Sequence, residues 1–128
     1  MKIGILVISL WTLVILGLLV SPLPNLTPSP YTTGFYYWDK VAHFGLFGLT
    51  GVMVTYGALF LRSIAARSVF ALGYGLMLAL ATEGIQHFTS YREATFCDLL
   101  ADVAGLSAAI TLSTASYLMW VQRTRRPS

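Results

Sequence analysis

Four runs of apolar residues, each close to the length that crosses a bilayer, account for most of this chain, and the breaks between them are short. A hydrocarbon core about 30 Å thick takes roughly 20 helical residues, and a helix is the form in which each segment satisfies its own backbone amides away from water. The runs lie at about Ile3 to Val20, Val41 to Leu61, Ser68 to Phe88 and Phe96 to Val121. They predict an all-α polytopic membrane bundle of four transmembrane helices, a single transmembrane domain over residues 1–128, with no length left for a soluble domain. Composition agrees, since only 10% of the residues are charged against about 25% in ordinary soluble domains.

The first run follows Lys2 like the apolar part of a secretion signal, but Leu19-Val20-Ser21-Pro22 is a poor cleavage site, so an uncleaved span of roughly 27 Å is expected. Pro22, Pro24, Pro28 and Pro30 come next. Proline removes a backbone donor and clashes with the preceding turn, which predicts an extended loop. It leads into Phe35-Tyr36-Tyr37-Trp38, a cluster suited to the headgroup level of a membrane. Asp39 is placed to cap the second helix. Gly45, Gly48, Gly51 and Gly57 give that helix a small-residue side for close packing; with no strand before them they make no phosphate-binding loop.

Basic residues set the orientation. Lys2, Arg62, Arg67, Arg123, Arg125 and Arg126 fall on one side of the bundle, Lys40 and Arg92 on the other. Because positive residues favour the cytoplasm, both termini are expected there, in a cell membrane (the inner membrane if the cell has two). The net charge of +3 comes from these helix ends and not from a basic stripe interleaved with aromatics, so no nucleic-acid partner is expected.

Four of the five acidic residues fall between Glu83 and Asp102. Asp39 and His43 are four apart, as are Glu83 and His87, with Gln86 between them, and Asp98 and Asp102, with Gly105 three further on. Each set shares one helix face. Alternating spans bring all three sets to the outer membrane level. A charge in the middle of a bilayer costs about 3 kcal/mol on insertion scales, so Glu83 and Asp102 are expected to face inward, with Lys40, Arg92 and the histidines as partners.

Three uses compete for such a cluster: a polar lock between helices, a ligand site, and a proton or ion path. A path would stop halfway, because the inner half offers only hydroxyls such as Thr111, Ser113 and Ser116. Nitrogen and oxygen donors are present for a divalent ion, but Glu-x-x-x-His is not the spacing of di-iron bundles and His-Glu-x-x-His is missing, so no metal and no cofactor is expected. The single cysteine, Cys97 beside Asp98, would be a nucleophile only if a base activated it, and reads as packing in a span.

These residues resemble the VanZ-like family of small membrane proteins. The resemblance rests on Asp39-Lys40-x-x-His43-Phe44 before a glycine-rich span, on Glu83-x-x-Gln86, and on Arg92-x5-Asp98-Leu99-Leu100-Ala101-Asp102-x-x-Gly105. It covers about Asp39 to Ala109 and departs at Asp102, where members often carry asparagine. It implies a multi-pass bacterial or archaeal cell-membrane protein, of a family whose founding member is tied to lowered susceptibility to the glycopeptide teicoplanin and to which no one biochemical activity is attached. The expected functional cluster is Asp39, Lys40, His43, Glu83, Gln86, His87, Arg92, Asp98 and Asp102. Its expected work is recognition of a membrane lipid or lipid-linked cell-wall precursor by its polar headgroup. The alternatives are an enzyme acting on a lipid or polyprenyl phosphate, and a structural network alone.

Overall fold

The computed structural model describes residues 2–20, 33–89 and 95–125, the first residues of the second helix (33–37) by their backbone only. Four helices occur among the described residues: α1 (Lys2–Val20), α2 (Thr33–Gly57), α3 (Ile64–His87) and α4 (Phe96–Thr124). No strand occurs among the described residues, and the all-α bundle expected from the apolar runs is present.

Three of these helices, α1, α3 and α4, are long and apolar enough to cross a membrane. Their outward side chains are grease: Leu6, Leu13, Val69, Met77, Leu80 and Leu112 are all exposed, an arrangement stable against lipid and poorly suited to water. The second helix differs. At 25 residues it is long enough, about 37 Å, but Asp39, Lys40, His43, Thr50 and Thr55 lower its hydropathy. His43, Thr50 and Thr55 are buried together with Phe47 and Val54. Its polar side thus faces protein, and α2 touches each of the other three helices.

Direction follows from which residues meet. Gly4 lies against Gly57, and Trp11 Nε1 donates to Thr50 Oγ1 at 2.9 Å, so α1 and α2 run antiparallel. Thr12 pairs with Tyr74 and Gln86 with Leu19, so α1 and α3 run parallel. Tyr56 donates to the Ser113 carbonyl at 3.0 Å, in register with contacts earlier in both helices, and α2 parallels α4. The bundle is up-down-up-down. The ends of α1 and α3 and the starts of α2 and α4 share one end of the molecule.

The α2–α4 interface is the most extensive, and glycine sets its closeness. A Cβ on Gly105 would overlap the backbone carbonyl of Phe44, and one on Gly51 would lie 3.0 Å from the Leu106 carbonyl oxygen. Backbone cannot step aside as a side chain can, so only glycine permits this approach. Gly45, Gly48, Gly51 and Gly57 do not share one side of α2, however. Gly48 and Gly51 meet α4, Gly57 meets α1, and Gly45 has no neighbour within 4 Å.

Two further expectations are corrected. Helix α2 begins at Thr33, six residues before Asp39, because nothing after Pro30 stops it. Asp39 therefore sits within the helix, where amides are already bonded, and does not cap it. Likewise Phe35 to Trp38 continue that helix; Trp38 is exposed. Ser63 caps α3 by accepting from the Ala66 amide at 3.1 Å, and Arg67 Nε donates back to the Leu61 carbonyl. The proline segment lies outside the described residues.

Candidate functional site

At the shared end of the bundle, three helices each contribute ionisable side chains to one place. Helix α2 supplies Asp39, Lys40 and His43, α3 supplies Glu83, and α4 supplies Asp98 and Asp102. The side chains of Asp98, Asp102 and His43 are almost wholly removed from solvent, at 2%, 0% and 1% exposure. Because burial of an unpaired charge costs several kcal/mol, the pairing of each group decides what the cluster can do.

The cluster has two halves. In the first, Lys40 Nζ donates to Asp98 Oδ1, to Thr95 Oγ1 at 3.2 Å and to Asp39 Oδ2 at 3.5 Å. Asp98 is held on its other side by Thr95, whose hydroxyl donates to Asp98 Oδ2 at 2.7 Å. Thr95 is also the N-cap of α4 and accepts from the Asp98 amide. The sequence announces this in Thr95-x-x-Asp98, a capping-box spacing that the reading by charge alone passes over. Asp98 in the first turn is favoured by the helix dipole as well. This half is a matched ion pair with a cap.

The second half is not matched. His43 Nδ1 lies 2.9 Å from Asp102 Oδ1 and donates to it. One nitrogen of His43 and one oxygen each of Glu83 and Asp102 lie within 4.8 Å of one another. Yet Asp102 Oδ2 and Glu83 Oε1, both buried, accept no hydrogen bond. Buried carboxylate oxygens are nearly always bonded, and each one left alone costs about 1–3 kcal/mol or more. Thr55 Oγ1, the other such atom, is about three turns further along α2.

The remaining expected members divide. Gln86 is buried at the same end, but its Nε2 donates to the Leu19 carbonyl at 2.7 Å, near the end of α1. It joins helices and does not face the acids through that donor. His87 is exposed, its ring edge-on to Phe88, so the last turn of α3 carries it out of the cluster. Arg92 lies outside the described residues. Cys97 is exposed, so it does not pack in the bundle as expected of it.

The two principal grooves lie elsewhere. One of about 600 Å³ is lined by Ile5, Ile8, Thr12, Phe60, Phe70 and Tyr74 among others, near the opposite end, and is almost wholly apolar. A smaller one, about 230 Å³, runs between α3 and α4 by Ser68 and Ile110. Neither is lined by a member of the cluster.

No curated protein and no solved structure matches the chain. The family described as VanZ/LLP1 matches over residues 4–119, a stretch that takes in both halves of the cluster and most of all four helices. With that extent of match on a bundle of membrane-spanning character, the chain belongs to the VanZ/LLP1 family.

Proposed function

We propose that this membrane protein binds the polar headgroup of an envelope lipid, or of a lipid-linked cell-wall precursor, at the charged end of its bundle. The observation that carries the reading is an imbalance. Glu83, Asp98 and Asp102 converge there; Asp98 is paired with Lys40 and one oxygen of Asp102 with His43, whereas Asp102 Oδ2 and Glu83 Oε1 are buried without a hydrogen bond among the described residues. A lock between helices requires one or two interhelical hydrogen bonds, worth about 0.6 kcal/mol each in a membrane. Asp102 and Glu83 exceed that need, and their unbonded oxygens suit hydroxyl or amine donors of a headgroup. Arg92, four residues beyond Phe88 in sequence, is the expected partner for its phosphate. By the basic-residue count this end faces outward.

Native mass spectrometry of the protein released from membranes in mild detergent tests this. The parent is expected to retain envelope lipid, and Arg92→Ala to lose most of it. Equal lipid on both would sink the reading.

One observation favours a second reading. His43 oriented by the buried carboxylate of Asp102 at 2.9 Å is the arrangement of a general base. Turnover of labelled envelope lipid by the parent, lost in His43→Gln, would move the protein to the enzymes; no product would leave it a binding protein.

A further inference from the structure

The two halves of the cluster are built alike. Each joins His43 to two carboxylates whose oxygens lie within 4.8 Å of it: Asp39 and Asp98 in one, Glu83 and Asp102 in the other. In the first, the ammonium of Lys40 supplies the positive charge. In the second, no cationic side chain among the described residues bonds to Glu83 or to Asp102 Oδ2. Asp102 is fully buried and yet one of its oxygens accepts nothing. Two carboxylates left in this state beneath a membrane surface are expensive.

We propose that His43, Glu83 and Asp102 bind one divalent transition-metal ion, zinc foremost. One imidazole with two carboxylates is a donor set for zinc or manganese and too rich in nitrogen for calcium or magnesium. The spacing suits it. Ligands each about 2.1 Å from a tetrahedral zinc ion stand roughly 3.4 Å apart; His43 Nδ1 and Asp102 Oδ1 are 2.9 Å apart and all three donor atoms lie within 4.8 Å of one another, so small side-chain shifts bring them to that spacing. On loading, His43 Nδ1 gives up its proton and its lone pair replaces the hydrogen bond to Asp102. Three protein ligands leave a fourth position open, where a phosphate oxygen of a headgroup or water can bind.

Spacing along a single helix could not reveal this triad. Its members come one each from α2, α3 and α4, at positions 43, 83 and 102. The inference rests on the headgroup reading only in adding to it a second positive charge, beside that of Arg92, and the ion binds whether or not lipid does.

The test uses the full chain, delipidated in detergent and purified on a tag free of histidine. After stripping with chelator, it is dialysed against zinc and its metal content measured. One zinc per chain is expected in the parent, with affinity falling at least about tenfold in Glu83→Gln and in Asp102→Asn, both near-isosteric. No zinc on the parent, or equal zinc on folded variants, overturns the proposal; the first result would leave a proton shared by the two carboxylates. Should the variants not fold, manganese on the parent decides: its electron paramagnetic resonance is expected to show coupling to one imidazole nitrogen, and a spectrum without nitrogen coupling rejects the site. Lipid retention by native mass spectrometry is read separately, so either proposal can fail alone.

Discussion

At Lys40 a single ammonium holds three oxygens from two helices, and one of them belongs to the buried Asp98. Removing it strands a charge. Lys40→Met is therefore expected to destabilise the bundle by about 3–5 kcal/mol, and the double change with Asp98→Asn by clearly less, since the stranded charge is then gone. Unfolding in detergent followed by tryptophan fluorescence would measure both; equal losses would show that the pair is not coupled. Gln86→Leu makes a separate prediction. It removes the buried hydrogen bond that joins α3 to α1 and should cost about 0.5–1.5 kcal/mol, with no effect on zinc content. Charge and helical spacing sufficed to pick out Lys40, His43, Asp98 and Asp102. They did not separate Gln86 from His87, because three and four residues past Glu83 lie on nearly the same face, and only the place where α3 ends decides which of the two stays inside.

Among the elements, α2 carries the most, and its glycines give a graded test. Gly105→Ala would drive a methyl group into the Phe44 carbonyl, and the helices must part. A loss of about 1–3 kcal/mol is expected, as for other overpacked sites. Gly45→Ala and Gly84→Ala meet nothing within 4 Å, and should gain up to about 1 kcal/mol from helix propensity. If all three changed stability alike, the close approach would not be what joins α2 to α4. The runs of apolar residues showed the helices themselves, to within a turn for α1, α3 and the start of α4. The start of α2 was missed because a charged residue before an apolar run reads as a cap, whereas Thr33 to Trp38 form helix on aromatic and small residues that carry no stop signal. Similarly, a glycine series spaced by three looks like one stripe in sequence, but at 100° per residue it drifts, and α2 turns successive glycines toward α4 and α1.

For the molecule as a whole, the up-down-up-down order brings the start of α1 and the end of α4 to one end of the bundle and the ionisable cluster to the other. The side of the membrane that each end is expected to occupy follows from charge. Basic residues gather at the end of Lys2, Arg62, Arg67 and Arg123, and basic ends are retained in the cytoplasm. This fixes what the cluster can meet, since an outward-facing cluster samples envelope lipids and extracytoplasmic metal ions, and an inward-facing one samples neither. Single cysteines placed in a Cys97→Ser background separate the two cases. Thr89→Cys, just past α3 at the cluster end, is expected to react in intact cells with a maleimide that cannot cross membranes. Ser63→Cys, at the α3 cap on the opposite end, is expected to react only after the cells are opened. The reverse pattern would turn the bundle over, and with it the headgroup reading would lose its outer-leaflet substrate. The zinc triad would remain in place, because its three ligands are held by helix packing and not by the direction in which the bundle was inserted.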